Sequence, residues 1–375
     1  MNLAERIIRS LLARAGIELN GSRPWDMQVH DPRTYAAIFR AGSLGLGEAY
    51  MNSWWDVGRL DEFFARLLAA RLGWVVKLSP IAWVGYLRNI WINNASRERA
   101  FLIGEAHYDL GNDFFADMLD PSLTYTCGYW NGEAANLEQA QKAKLDLVCR
   151  KLKLRGGEKI LDIGCGWGSF ARHAAEHYGA EVTGLTVSKE QMELSKKLCQ
   201  GLPINFVLQD YREHHGQYDH VVSIGMFEAV EYKNHKEYIR VVKRCLRPGG
   251  LFLLHTIGSR AGGMATDPWI KKYIFPVGII PVRKQIERAA RGELEILDWH
   301  EFEGSNYDRT LMSWHENFQR YWPQNKEKYG KLVNGQFERM WRYYLLSCAG
   351  AFRANHLALW QVVLSPESIP YAPVR

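Results

Sequence analysis

The chain has little that would build a metal site or a disulfide framework. Its six cysteines stand at 127, 149, 165, 199, 245 and 348, and none forms a Cys-x-x-Cys pair. Scattered thiols of this kind fit a reducing cytoplasm, and no metal ligand set is expected. No run of about 18 apolar residues occurs, so no membrane-spanning helix is expected. Residues 1–14 carry Glu5, Arg6, Arg9 and Arg14 without a continuous apolar run, unlike a signal peptide. No internal repeat or low-complexity segment is visible. Residues 63–97 contain no acidic side chain at all, only Arg66, Arg71, Lys77, Arg88 and Arg97 among Trp74, Trp83, Tyr86 and Trp91. Such a stretch suits helices lying on anionic lipid. It equally suits a face docked on the next domain, with its cations reaching to water. Pro80, Lys77 and Arg88 interrupt it, which excludes spanning.

The 375 residues suggest two domains, and the net charge of +6 is a mild basic bias. That bias suits an acidic or anionic lipid surface and does not demand nucleic acid. Helices are expected at 5–15, from Asp31-Pro32 to Ala41, and over 60–71. A glycine-punctuated stretch, Leu44 to Tyr50, lies between the last two. Residues 94–99 read as a linker, so the expected division is 1–100 and 101–375.

Residues 158–168 read Glu-Lys-Ile-Leu-Asp-Ile-Gly-Cys-Gly-Trp-Gly. An apolar strand ends abruptly in Gly164, Gly166 and Gly168, and residues 169–178 follow as a helix. Glycines remove Cβ atoms where backbone must approach a ligand, and a helix start offers unpaired N–H groups. The Gly-x-Gly-x-Gly form after Asp162 points to S-adenosylmethionine rather than a dinucleotide. A dinucleotide site expects an acid about 20 residues further on, and that place reads Gly184-Leu185-Thr186-Val187-Ser188.

Strand and helix then alternate: strands at 180–187, 204–208, 218–225 and 251–257, helices at 189–200 and 235–245, after a helix at 137–152 capped by Asn136. The expected fold class is α/β, a doubly wound parallel sheet behind a smaller, mainly helical N-terminal domain. Ligands of such sheets lie beyond the carboxyl ends of the strands. That rule makes neighbours of the glycine loop, Thr186, Ser188, Gln209, Asp210, Glu228 and His255, with Gln191 available for the ribose or methionine end.

These residues carry a resemblance. In order come Gly42-Ser-Leu-Gly-Leu-Gly-Glu48, Glu105-Ala-His-Tyr-Asp-Leu-Gly-Asn112, Tyr125-Thr-Cys-Gly-Tyr-Trp130, Leu161-Asp-Ile-Gly-Cys-Gly-Trp-Gly168, Gly184-Leu-Thr-Val-Ser188, Leu208-Gln-Asp-Tyr-Arg212, Gly225-Met-Phe-Glu228, His255-Thr-Ile-Gly-Ser259, Asp267-Pro-Trp-Ile-Lys-Lys-Tyr-Ile-Phe-Pro276 and Cys348-Ala-Gly-Ala-Phe-Arg353. Over almost its whole length the chain resembles the bacterial cyclopropane-fatty-acyl-phospholipid synthases, whose mycolic acid relatives share the catalytic part without so long an N-terminal domain. The resemblance implies a Rossmann-like class I methyltransferase. It implies methylene transfer from S-adenosylmethionine to a cis double bond of a phospholipid acyl chain, leaving S-adenosylhomocysteine. It implies a bound bicarbonate as base, held by Cys127, Glu228, His255, Ile257 and Tyr307. It implies cofactor contacts at Tyr125, Thr126, Gly164, Gly166, Gly168, Gly184, Thr186, Ser188, Gln191, Gln209 and Asp210. It also implies a homodimer working at the inner face of the membrane, in the cytoplasm, on bilayer lipid and not on nucleic acid.

Cys348 matches a cysteine often given an active role in relatives, although burial as a small hydrophobe is the commoner fate. His107, Tyr108 and Asp109 serve either the linker or the cofactor. Where relatives usually read Phe-Glu-His-Val-Gly, this chain reads Phe227-Glu228-Ala229-Val230-Glu231, which places an extra charge near the expected mouth of the site. The carbocation left by methyl transfer calls for aromatic faces that stabilise without reacting. Phe227, Trp269, Tyr273 and Tyr307 are the candidates. Each assignment has a plainer counterpart: Glu228 as a helix cap, His255 as a satisfied core histidine, Tyr307 as packing. Three other activities stay open at this point: branching or exocyclic methylenation of the same acyl chains, methylation of a small molecule or RNA, and lipid binding without catalysis.

Overall fold

A computed structural model describes residues 3–71, 111–260, 266–332 and 335–375. His107, Tyr108, Asp109 and most of the acid-free segment lie outside the described residues. In chain order the elements used below are α1 (Leu3–Arg14), α2 (Arg33–Ala41), α3 (Ser43–Met51), α4 (Leu60–Ala69), α5 (Asn112–Met118) and α6 (Leu137–Lys151). Then follow β3 (Lys159–Ile163), α7 (Ser169–Tyr178), β4 (Glu181–Thr186), α8 (Lys189–Leu198), β5 (Ile204–Leu208) and β6 (Tyr218–Ile224). The chain continues with α9 (His235–Cys245), β7 (Leu246–Ser259), α10 (Pro268–Tyr273), α11 (Arg283–Ala290), β8 (Glu295–Phe302), α12 (Gly304–Asn325), α13 (Phe337–Arg353) and β9 (Leu357–Ser365). Two short strands, β1 (Gln28–Val29) and β2 (Trp55–Asp56), pair antiparallel near the start of the chain.

The chain forms two compact units: residues 1–93 with 265–276 and 307–357, and residues 94–264 with 277–306 and 358–375. The division near residue 100 thus describes only part of the arrangement, because two later segments join the N-terminal unit. The reason is apolar packing within that unit. Phe63, Phe64 and Tyr343 meet edge to face, and Trp269 lies 4.4 Å from Tyr343. The glycine-punctuated stretch proves to be helix α3. A Cβ on Gly45 would stand 2.0 Å from the Ala37 carbonyl oxygen, and one on Gly47 would stand 2.3 Å from Trp269. Glycine there is a condition of close packing, and that packing offsets its poor helix propensity. Asp61, buried on α4, accepts from Arg59 and from Arg353 of α13. Burial opposes its charge, but the two guanidiniums win and hold the carboxyl well below the usual range.

Among the described residues the second unit carries a seven-stranded sheet of order β5-β4-β3-β6-β7-β9-β8. β3, β4, β5, β6 and β7 pair in parallel, and β8 runs antiparallel to β9. Helices flank both faces, as a parallel sheet buried on two sides requires. One face packs Phe252, Leu254, Trp360 and Val362 with Ile239 and Val242 of α9 and Ile286 of α11. The other packs Leu253 and Val363 with Val148 of α6 and Phe170 and Ala174 of α7. Asn136 caps α6 by accepting from the Gln139 amide, as its sequence position predicts.

Candidate active site

At the carboxyl end of β3 the chain turns through Gly164, Gly166 and Gly168, with φ of +83°, +55° and +80°. All three need the left-handed region that glycine adopts without penalty. Their surroundings differ. A Cβ on Gly164 would stand 2.6 Å from the Met226 side chain, and one on Gly168 would stand 2.7 Å from Phe206. One on Gly184 would stand 2.9 Å from Cys165 Sγ, whereas a Cβ on Gly166 would meet nothing within 4 Å. Only at Gly166 is the space beside the backbone left over for a ligand. At the other positions the protein itself fills it.

The next strand end is tied to this loop. Ser188 Oγ accepts from the Gln191 amide to cap α8, and Thr186 Oγ1 accepts from the Ser188 amide at 3.1 Å. Thr186 donates to Gln191 Oε1 at 3.3 Å, and Ser195 donates to the Gly166 carbonyl at 3.2 Å. Gln191 Nε2 is buried and finds no acceptor in the protein, so a donor is left for a ligand. Gln209 is bound by its side-chain oxygen to His214 Nδ1 at 2.9 Å. Asp210 takes both its oxygens to Arg212, at 2.8 and 2.6 Å.

Tyr125, Thr126 and Cys127 reach the loop from a segment without regular structure. Thr126 lies against Gly225, where a Cβ would stand 2.5 Å from its methyl. Phe115 of α5 packs on Tyr125 at 5.2 Å and on Trp167 of the glycine loop at 5.0 Å. Cys127 is fully buried. Sequence reasoning missed what anchors this segment. Gln141 Nε2 donates to the Thr126 carbonyl at 2.7 Å, and Lys144 Nζ donates to Thr126 Oγ1 at 2.9 Å. Burial pulls the Lys144 ammonium down to about 8, against the attraction of Asp120, Cys127 and Asp162. Burial pushes the Asp162 carboxyl up to about 7, partly offset by Lys144. The available signal was spacing. Gln141, Lys144, Val148 and Lys151 recur on one stripe of α6, where a core-facing helix would ordinarily carry only apolar side chains.

Glu228 follows β6, and His255 lies within β7. Ile224 of β6 pairs with His255 of β7 in the sheet, and the Gly225 amide donates to the His255 carbonyl at 2.9 Å. Glu228 Oε1 accepts from the Ile257 amide at 2.7 Å, while its Oε2 is buried and has no partner. Burial pushes this carboxyl up to about 7, with the Ile257 amide opposing. His255 meets Gln361 through Nδ1 at 3.2 Å, and its Nε2 is buried without a partner. Burial, then Lys144, Lys151 and His300, holds the imidazole well below its ordinary range, so the ring is neutral. Two polar atoms, one on a carboxyl and one on an imidazole, are thus left unsatisfied inside the protein. Such atoms are costly unless a ligand supplies their hydrogen bonds.

The structure brings together the candidates of the sheet-bearing unit: the glycine loop, Gly184, Thr186, Ser188 and Gln191; Tyr125, Thr126 and Cys127; Glu228, His255 and Ile257. Tyr307 and Cys348 belong to the other unit. Tyr307 stacks on Phe352 at 4.3 Å. Burial, reinforced by Asp267, pushes the Cys348 thiol up to about 12. That shift favours the protonated thiol, as for a cysteine buried as a small hydrophobe. Phe227 is a core residue, fully buried between His235 at 4.3 Å and Tyr238 at 5.2 Å. Trp269 packs on Gly47, and Tyr273 donates to Glu48 at 2.9 Å. Glu231, expected to add charge at the mouth, is buried.

The sequence model of the family described as Mycolic acid cyclopropane synthetase matches residues 95–362. The cyclopropane-fatty-acyl-phospholipid synthase of Escherichia coli K12 is 47% identical over 363 residues, 96% of this chain and 93% of that protein. The chain belongs to the mycolic acid cyclopropane synthetase family. As a member it is an S-adenosylmethionine-dependent methyltransferase, with S-adenosylmethionine as co-substrate. A solved structure of the family, cyclopropane synthase MmaA2 from Mycobacterium tuberculosis, is 32% identical with a TM-score of 0.64, covering 70% of this chain and 97% of that one. Mycolic acid cyclopropane synthase CmaA1, solved with S-adenosylhomocysteine and CTAB, is 30% identical with the same TM-score, covering 70% of this chain and 97% of that one. Among the described residues no helix is long and apolar enough to cross a membrane, and no cluster of His, Cys, Asp or Glu could hold a metal ion.

Proposed function

We propose that this chain transfers a methylene group from S-adenosylmethionine to the cis double bond of an unsaturated acyl chain in a membrane phospholipid. The products are a cyclopropane acyl chain, S-adenosylhomocysteine and a proton. In the first step the alkene π pair forms the new bond to the methyl carbon while the sulfonium sulfur keeps its bonding pair. In the second, a proton leaves the new methyl group, and the C–H pair closes the ring onto the cationic carbon. An alkene is a poor nucleophile, so alignment carries much of the barrier, roughly 7–11 kcal/mol.

The observation that carries the reading is the pair of unsatisfied buried atoms, Glu228 Oε2 just after β6 and His255 Nε2 on β7. A buried acceptor or donor on each suits a small oxyanion, and a carboxyl near neutrality can donate to one. Bicarbonate, when bound there, would supply a base that takes the proton from the new methyl group. Glu228 and His255 would hold it, with the Ile257 amide orienting Glu228 and with Cys127 as a further proposed contact. A base supplied by the bound anion would leave the proton transfer to a group other than a protein nucleophile beside the carbocation.

We propose further that the chain works as a homodimer docked on the cytoplasmic face of the bilayer. The net charge of +6 and the acid-free residues 63–97 support that placement. The decisive experiment supplies purified protein with S-adenosylmethionine and unsaturated phospholipid vesicles, with bicarbonate present or stripped. Cyclopropane acyl chains by mass spectrometry, dependent on bicarbonate, are expected. Methyl-branched or methylene chains, or no lipid product, would overturn the reading. Salt-sensitive cosedimentation with anionic vesicles and sedimentation equilibrium test docking and dimerisation.

A further inference from the structure

A buried polar row crosses the antiparallel end of the sheet, and the reaction above uses only its His255, leaving Gln361, His300 and Lys151 without a role. Gln361 of β9 lies opposite His300 of β8 in the strand register, and β9 neighbours β7, which carries His255. Gln361 Nε2 stands 3.2 Å from His255 Nδ1. Lys151, in the last turn of α6, places Nζ 2.8 Å from His300 Nδ1. The rings of His300 and His255 approach Phe302 at 4.6 and 6.0 Å. His255, Gln361 and Lys151 are each 1% exposed or less. Strand positions facing a helix are ordinarily filled by aliphatic side chains. A glutamine there forfeits solvation, and Gln361 Oε1 recovers no partner for it. Packing alone would be better served by an apolar residue.

The chemistry of the amide explains the choice. A side-chain N–H only donates, so His255 Nδ1 must accept and the ring proton must sit on Nε2. Nε2 is the atom the protein leaves without a partner. The charged and titratable groups that bear on His255 are Lys144 and Lys151 from α6 and His300 from β8. Glu228 lies on the Ile257 amide two residues along β7. The two lysines oppose a second proton on the ring.

We propose that Gln361 is a positioning residue: its amide locks His255 in the tautomer that carries the proton on Nε2 and so presents that N–H to the reaction's anion. The inference rests on the anion-holding role given to His255 above. Its test has a readout independent of turnover. Full-length protein labelled with 15N-histidine is saturated with S-adenosylhomocysteine. Its two-bond 15N–1H spectrum is then recorded, with His255 assigned by difference against His255→Gln. The wild type shows the Nε2–H pattern, unchanged between pH 6 and 8. Gln361→Glu, whose carboxylate accepts from Nδ1–H, moves the ring to the other tautomer or to a titrating imidazolium, and the pH profile of kcat/KM moves with it. Gln361→Met gives mixed tautomers and loses kcat roughly tenfold or more, the scale of losing a group that orients a reacting imidazole, while KM for S-adenosylmethionine holds. A wild-type Nδ1–H pattern overturns the proposal whatever the variants do, and so does a folded Gln361→Met with the wild-type pattern and kcat. Absence of cyclopropane product from the wild type would instead sink the functional reading and leave the tautomer result standing.

Discussion

Glu228 and Ile257 are joined by one hydrogen bond of 2.7 Å, from the strand amide to Oε1, and it leaves the second carboxyl oxygen buried and unengaged. The Ile257 amide and the Thr256 hydroxyl orient the carboxyl without using up both of its oxygens. Glu228→Ala is therefore expected to cut turnover about 10²–10⁴-fold, the range for a group acting on a proton in the transition state. Its Kd for S-adenosylmethionine, by calorimetry, should stay within about threefold of wild type on the same argument. Loss of cofactor binding instead would remove Glu228 from the chemistry.

The same carboxyl makes a stability prediction of definite sign. Its folded value of about 7 lies above the ordinary 4.5, because burial disfavours the charge. Between those two pH values the folded chain binds more protons than the unfolded one. Stability from this group is therefore intact below about pH 4.5 and is lost as pH rises to 7, by up to about 3 kcal/mol. Glu228→Gln abolishes that loss. In urea unfolding without added bicarbonate, the variant should gain on the wild type steadily from pH 5 to pH 7 and then level off. A difference that stays flat across the range would refute the buried, uncompensated carboxyl.

Lys144 should link fold to cofactor. Its ammonium holds Thr126 Oγ1 at 2.9 Å and faces Asp162 at the end of β3. Lys144→Met keeps the length and removes the donor. It is expected to cost about 1.5–3 kcal/mol, the worth of a hydrogen bond to a charged group, and to weaken S-adenosylmethionine binding by releasing the Thr126 segment. Denaturant midpoints and calorimetric titration measure the two effects. Unchanged affinity would mean that residues 125–127 do not touch the cofactor.

The parallel half of the sheet was legible because its signals are local. Lys159 to Ile163 and Ile204 to Leu208 are apolar runs closed by glycine or polar residues, and the strands match those limits. The antiparallel end was not legible. β8 and β9 pair across a long helical insertion with no hairpin turn between them, so no short-range pattern marks them as partners. Gln361 was hidden for the same reason, and His300 with it. Gly45 and Gly47 read as punctuation because what they accommodate, Ala37 and Trp269, is a matter of tertiary contact. Glu228 and His255 were named as candidates through the rule that ligands lie at the carboxyl ends of the strands. Lys144 and Gln141 were passed over because a buried cation on a core helix runs against the pattern that located the helix.

The glycine loop separates packing from binding in one experiment. Gly164→Ala forces a Cβ to 2.6 Å from Met226 at a φ of +83°. The left-handed backbone costs about 1–2 kcal/mol and overpacking about 1–3 more, so a clear fall in unfolding midpoint is expected. Gly166→Ala, at a φ of +55° with no atom within 4 Å, carries only the backbone cost. Its Cβ instead enters open space beside the loop. That variant should stay within about 2 kcal/mol of wild type and yet bind S-adenosylmethionine markedly more weakly. Stability by urea titration and affinity by calorimetry should thus rank the two variants in opposite orders of damage. Equal affinity of Gly166→Ala and wild type would place the cofactor on some other side of the turn.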